Sequence, residues 1–351
     1  MAIELQTPLC RALGIEHPIF SVGFGHAAGP ELAATVSNAG GCGVLGGAGM
    51  PPQEIRARIR RTRELTDRPF GINVIIAAVE LGLAEFAELA EARIAAAIEE
   101  QAPLVVLFWG DPSPYVSEAH RRGTLVAIQV GSLKEAERAA EAGVDVIIAQ
   151  GYEAGGHVRA TTSLWTNLPA IVDAVAPVPV LASGGIGDGR GLAAALALGA
   201  QGVSLGTRFV ASDEAFVADE YKRRVVEATA DDTVYGYLFD VGFPEAPHRM
   251  LRNRIVAEWE SAGRPPPGER EDEGGVIGRE HRPWLDDPVE IPRYSSMMAT
   301  PDFEGDLELA PLWAGESCSV VNDIRPAGDI VRDLARDAAA LLAATSSGSR
   351  S

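Results

Sequence analysis

From residue 17 to about 210, short runs of apolar and β-branched residues alternate with longer stretches that carry alanine, leucine and charge at helical spacing. The short runs fall at 18–22, 43–46, 70–76, 104–109, 125–130, 144–150, 180–183 and 202–206. The amphipathic stretches between them fall at 30–38, 51–65, 83–100, 113–121, 133–142, 168–175 and 189–198. Strand runs this short and continuously apolar are buried on both faces, as in a parallel sheet. Repeated in regular alternation with helices, they predict an α/β fold of the (β/α)8 TIM barrel type rather than an open doubly wound sheet. Local signals agree. Ser132 and Glu135 form a capping box at a helix start. Pro30 and Pro51 sit where a first helical turn tolerates proline. Gly123, Gly143 and Gly199 each close a helix just ahead of a strand.

Beyond about residue 210 the alternation fades. Residues 213–230 read as a helix that would follow the eighth strand. Residues 231–311 hold few periodic runs and many turn residues, including Arg264-Pro-Pro-Pro-Gly-Glu-Arg-Glu-Asp-Glu273. An irregular excursion over the barrel mouth is expected there, with that charged loop exposed. A final helix at about 330–343 is expected to dock back on the barrel, followed by a frayed tail at 345–351. The expected organisation is thus a barrel at 1–230, an irregular segment at 231–311 and a C-terminal helix and tail at 312–351.

Length and composition fit that plan. The 351 residues leave room for a barrel of roughly 250 residues plus an additional segment. No window approaches the ~20 predominantly apolar residues of a membrane span. The start, Met1-Ala-Ile-Glu-Leu-Gln-Thr7, lacks the basic and apolar regions of a secretory signal. A cytoplasmic protein is expected. A formal net charge of −19 would repel a phosphate backbone, which argues against nucleic acid as a partner. The arginines at 56, 58, 60, 61 and 63 read as one solvated helix face. Cys10, Cys42 and Cys318 are far apart and form no disulfide or zinc pattern.

Chemistry gathers at the ends of strands. Gly41-Cys-Gly-Val-Leu-Gly46 matches a dinucleotide fingerprint in letters only, because its glycines run through a strand instead of opening a helix. More telling are Ser183-Gly184-Gly185 after the seventh strand and Ser204-Leu205-Gly206-Thr207 after the eighth. In (β/α)8 barrels these two loops often build a phosphate site from backbone N–H groups. Glycine lets the backbone approach the anion, Thr207 offers a hydroxyl and Arg208 a charge. The loop after the sixth strand reads Gln150-Gly-Tyr-Glu-Ala-Gly155-Gly156-His157. That places His157 at the mouth, where catalytic groups of this architecture sit, as a proton-transfer candidate. Glu153 and His157 are four apart, but the glycines between them break any helix, so no metal site is expected. Asn73 and Gln150 are amides within apolar strands and need partners. They would find them in neighbouring backbone or in a polar heterocycle. Two amides beside a phosphate site suggest a flavin.

Phe70-Gly-Ile-Asn73, Gln150-Gly-Tyr-Glu-Ala-Gly-Gly-His157, Ala182-Ser-Gly-Gly-Ile186 and Leu205-Gly-Thr-Arg-Phe209 resemble the motifs of the nitronate monooxygenase (2-nitropropane dioxygenase) family. Gly14-Ile-Glu-His-Pro-Ile19 and Ser37-Asn-Ala-Gly-Gly-Cys-Gly-Val44 resemble it too, and Leu312-Trp-Ala-Gly315 is a weaker echo. The resemblance spans roughly residues 10–215. It implies non-covalent FMN held by Asn73, Gln150, Gly155, Gly156, Gly184, Gly185 and the segment Ser204, Leu205, Gly206 and Thr207. It also implies His157 as the active-site histidine, acting as base toward a nitroalkane or orienting a nitronate. The implied reaction is oxidation of an alkyl nitronate, with O2 reoxidising the flavin, to a carbonyl compound and nitrite. Small-molecule substrate and O2 are then the partners, and a homo-oligomer is compatible with this.

Three positions depart from the family pattern. Ser21-Val-Gly-Phe24 stands where Gln-Ala-Pro-Met is usual, which makes Phe24 and the nearby His26 candidate substrate contacts. Arg159 stands where glycine is common, adding a cation near the mouth. Ser204 stands where glutamine is frequent. Two other functions remain open from the sequence: an NAD(P)H-dependent flavin reductase of quinones or enoyl thioesters on the same barrel, and a non-catalytic flavin- or phosphate-binding subunit.

Overall fold

Parallel strands run around a single ring in the computed structural model, which describes residues 5–77 and 84–346. In chain order they are β1 (Ile19–Ser21), β2 (Gly43–Gly46), β3 (Phe70–Ile75), β4 (Leu104–Phe108), β5 (Leu125–Val130) and β6 (Val146–Gln150). The short β7 (Gly156–His157) leaves the ring, and β8 (Val180–Ser183) and β9 (Gly202–Leu205) complete it. Each ring strand pairs with its neighbour in parallel register. A parallel bridge between Phe20 and Cys42 joins β1 to β2 and closes the barrel. Met1, the helix start at Leu83 and the tail beyond residue 346 lie outside the described residues.

Side chains on a strand alternate between the two faces of a sheet, and the barrel follows that rule. Phe20, Val44, Leu104, Val106, Ala127, Val146, Ile148 and Leu181 fill the inside. Ile72, Val74, Val105, Leu107, Val126, Ile128 and Ile147 face outward to the helices. The helix Pro8–Leu13 plugs the N-terminal end with Leu9 and Leu13. Gln201 ties it down by accepting from Thr7 Oγ1 at its carbonyl and from Leu9 N at its side chain, both at 2.9 Å. Toward the C-terminal ends the inward positions turn polar: Asn73, Gln129, Gln150, Ser183 and Ser204. That end becomes the site.

The segment 231–311 is mostly turns and loops, but it is not without regular structure. Among these it carries strands of two small antiparallel sheets with a helix, Arg254–Ser261, between them. One joins β10 (Thr233–Gly236) and β11 (His248–Leu251) to β7; the other is β12 (Val276–Glu280), flanked by β13 (Val289–Pro292) and β14 (Phe303–Gly305). Strands of three to five residues are too short to show an alternating pattern in sequence. The charged loop at 264–273 is mostly exposed, but Arg270 is pinned inward, donating to Leu238 O and Asp240 Oδ1 at 2.7 Å each. The single helix expected over 213–230 is shorter, Asp219–Glu227, and is preceded by a four-residue turn of helix, Thr207–Val210, directly off β9. The last helix, Ala327–Ser346, packs against Gly189–Ala197 on the barrel wall. No helix among the described residues is long and apolar enough to cross a membrane.

Candidate active site

A cavity of about 540 Å³ opens at the C-terminal ends of the strands, within the roughly 300–1,000 Å³ usual for ligand and cofactor sites. Its floor is the polar inward layer of the barrel, including Asn73, Gln129, Gln150, Ser183 and Ser204. Its roof, from the C-terminal third, includes Val241, Phe243, Ile291, Met297, Met298 and Trp313, with Arg282 and Glu290 also on the lining.

His157 projects into this cavity from β7. The antiparallel pairing of His157 with His248 on β11 fixes its backbone. Its ring meets Phe243 at 4.6 Å, Trp313 at 5.5 Å and His248 at 5.8 Å between centroids. Nε2 is buried with no hydrogen-bond partner among the described residues. Burial, and then the nearby His248, push its pKa down to about 3. His248 is itself locked neutral. Phe239 N donates to its Nε2 at 3.1 Å, so Nδ1 carries the proton and donates to Ala246 O at 2.9 Å. Burial holds the His248 ring at about 4. At neutral pH, His157 is therefore an uncharged imidazole whose buried Nε2 is open to a ligand.

Gln150 lines the cavity, yet both ends of its amide are committed. Nε2 donates to His157 O at 2.9 Å and Oε1 accepts from Arg159 N at 2.8 Å. The residue clamps the β7 loop that carries His157. Asn73 Nδ2 donates to Val106 O at 3.1 Å, while its Oδ1 makes no hydrogen bond among the described residues. Gln129 shares the inward face of β5 and lines the cavity. It is the site amide missed in the sequence, although strand alternation alone would have pointed to it.

The glycines divide by role. A Cβ at Gly155 would meet Gly315 N at 2.2 Å and Ala314 C at 2.4 Å. That glycine lets the 312–315 segment cross the β6–β7 loop and deliver Trp313. Gly315 N also donates to Thr207 Oγ1 at 2.9 Å, so the Leu312-Trp-Ala-Gly315 echo is part of the site. Gly184 and Gly185 have φ of +102° and +68°, a left-handed turn that favours glycine. With Gly206 and Thr207 they form adjoining loops at the ends of β8 and β9. Gly156, with φ of +69°, has open space where a Cβ would stand.

Some expected contacts lie elsewhere. Leu205 points outward into the helix-facing core, because the alternation that turns Ser204 inward turns Leu205 away. Arg208 is drawn off to Asp323, with Nη1 2.8 Å from Oδ1, and does not line the cavity. Arg159 likewise lies outside the lining. Its Nε donates to Glu135 Oε1 at 2.7 Å and its guanidinium stacks 4.7 Å from the Trp109 ring. Glu153 accepts from Ser163 Oγ at 2.5 Å and from Leu164 N at 3.0 Å, at the start of the helix Leu164–Val175. Phe24 and His26 both line the cavity.

The donor set fits a phosphate-bearing heterocycle such as a flavin. The half-buried amides of Asn73 and Gln129 keep spare hydrogen-bonding capacity toward a cavity that also receives an orphaned imidazole nitrogen, beside two glycine turns open to an anion.

Comparison with known proteins follows the same line. A family model described as nitronate monooxygenase matches residues 6–337. A Mycobacterium tuberculosis protein named (3aS,4S,5R,7aS)-5-hydroxy-7a-methyl-1-oxo-octahydro-1H-indene-4-carboxyl-CoA dehydrogenase is 38% identical, covering 75% of this chain and 70% of the relative. The nitronate monooxygenase of Paraburkholderia phytofirmans is 32% identical, covering 93% of both chains. The structure of FabK from Thermotoga maritima superposes with a TM-score of 0.82 at 32% identity, covering 98% of this chain and 99% of the other.

Proposed function

The chain belongs to the nitronate monooxygenase family of oxidoreductases, and on that premise we propose that it binds FMN and oxidises alkyl nitronates with O2 to a carbonyl compound and nitrite. The observation that carries this is the Nε2 of His157, buried at the cavity beside Phe243 and Trp313 with no hydrogen-bond partner among the described residues. An imidazole held at about 3 is a poor base at neutral pH, but it can donate or accept one hydrogen bond from the buried Nε2. A nitronate is already deprotonated, so it needs a donor aimed at its oxygens and not a base. Burial strengthens that bond by lowering the local dielectric.

The flavin supplies the electron-accepting ring and its reaction with O2. Asn73 and Gln129 would face its polar edge, and Ser204 lies on the same inward floor. The backbone at Gly184, Gly185, Gly206 and Thr207 would hold the phosphate. Gln150, Gly155 and Gly156 would shape the loop that presents His157. Phe243 and Trp313 keep water from the imidazole and orient a small apolar substituent beside it.

A second reading, oxidoreduction of an acyl-CoA thioester, is favoured by one observation: the 38% identity to a relative named for dehydrogenation of a carboxyl-CoA compound.

Stopped-flow absorbance of the FMN-loaded protein under anaerobic conditions tests these readings. Separate mixings use propyl 2-nitronate, NADH and a saturated acyl-CoA. Loss of the visible flavin absorbance with the nitronate, and not with NADH, is the expected result. Bleaching by NADH alone would replace it with a pyridine-nucleotide-dependent reductase, and bleaching by acyl-CoA alone with the thioester reading. A protein that takes up no FMN would sink all three.

A further inference from the structure

A second histidine faces the cavity in different company. The turn Gly25–Ala27, just past β1, carries His26, which is 5% exposed and lines the cavity. Its Nε2 faces Glu280 Oε1 at 3.5 Å. That distance suits an ion pair and is too long for a hydrogen bond, so Nε2 is buried without a hydrogen-bond partner among the described residues. Glu280 ends β12 and is 1% exposed. Thr300 Oγ1 donates to its Oε1 at 2.8 Å and Arg282 Nε to its Oε2 at 3.1 Å. Burial pushes this carboxyl up, but His26, Thr300 and Arg282 outweigh it and hold the group below its ordinary value. Glu280 is thus a fixed anion behind the ring. Trp284 meets the ring edge-on at 5.9 Å. Arg58, paired with Glu54, donates from Nη1 to His26 O at 2.9 Å and lies over Trp284.

We propose that His26, backed by Glu280, is the proton acceptor of this site, taking the proton from a carbon acid whose C–H lies beside a nitro group or a thioester carbonyl. The inference rests on the reading that the cavity oxidises such compounds. The carboxylate 3.5 Å from Nε2 favours the proton on that nitrogen, which leaves Nδ1 to accept one. In the step the C–H bond breaks and its electron pair stays on the substrate, as a nitronate or an enolate. The proton goes to Nδ1, and the imidazolium that results is stabilised by Glu280, as a carboxylate behind a catalytic histidine does. Among the described residues His157 has no such partner. Its neighbours are Phe243, Trp313 and the neutral His248, so its charged form would stand uncompensated. The two histidines divide the work: His157 orients an anion and His26 generates it from the neutral acid. Glu280 is a positioning residue acting through His26.

The test is deuterium exchange at the α-carbon, which needs no electron transfer. The protein, with and without FMN, is held without O2 in D2O with 1-nitropropane, and separately with a saturated acyl-CoA, and exchange is followed by proton NMR. Exchange above the uncatalysed rate with one of the two substrates is expected and identifies which activating group the site takes. His26→Gln and Glu280→Gln should each slow it by about 100-fold or more. The same variants should lower kcat/KM for the neutral nitroalkane relative to its nitronate. That ratio, taken within each variant, cancels any loss of folded protein. Exchange at the wild-type rate in His26→Gln overturns the proposal, as does absence of exchange with both substrates in the wild type. A parallel fall in nitroalkane and nitronate turnover would make the pair structural and overturn it too. Exchange in a protein that oxidises no nitronate would uphold the proton step and overturn the nitronate reading alone.

Discussion

His157 shows how much a single residue's role depends on neighbours brought from far along the chain. Its position at the mouth is readable from the β6 motif. Its basicity is not, because Phe243, His248 and Trp313 arrive from the C-terminal third. The low values of His157, about 3, and His248, about 4, carry a stability consequence. In the unfolded chain both rings take up protons near the ordinary 6.5. Between that value and about 3 to 4 the unfolded state therefore binds more protons than the native one, and stability falls as pH falls. Melting temperature should drop between pH 6.5 and 4 in the wild type. The drop should be shallower in His157→Gln when the two are melted side by side. Equal slopes would mean His157 is not held neutral. The charged expectations failed for a related reason: Arg208 meets Asp323, 115 positions away, and nothing local signals that partner.

At the level of elements, the strand ends were legible because burial on both faces leaves a continuous apolar run, while the polar residues of each strand fall on the inward period. Asn73, Ser204 and the overlooked Gln129 all obey it, and so does outward Leu205. What stayed hidden was how the loops are held. Gln150 looked like a ligand contact, but its amide spans His157 O and Arg159 N. Gln150→Met keeps the volume and removes both of these hydrogen bonds. Such a loss costs about 1–3 kcal/mol for a buried group. The variant should melt lower and turn over more slowly because the β7 loop loosens. A variant of wild-type stability would show that the clamp is dispensable.

Across the whole molecule, the barrel and the C-terminal third contribute different things to one cavity. The barrel floor is polar and built by strand alternation, which a reader of the sequence can follow. The roof comes from short antiparallel strands and loops whose pattern is too brief to register, and its large side chains are mostly apolar: Ile291, Met297, Met298 and Trp313, with Arg282 and Glu290 the charged exceptions. Polar floor and apolar roof imply that the barrel fixes the reaction and the roof fixes the size of the substrate's apolar arm. Met297 is the position to vary, since methionine fills irregular space and its removal leaves room. Met297→Ala should favour longer nitronates: kcat/KM for the nitronate of 1-nitrohexane, relative to propyl 2-nitronate, should rise by about 10-fold, the scale of one methylene in an apolar pocket. If the chain-length profile does not move while activity persists, the 289–298 wall does not touch the substrate. Selectivity would then have to come from Phe24 and the loop after β1, where the chain departs from its family.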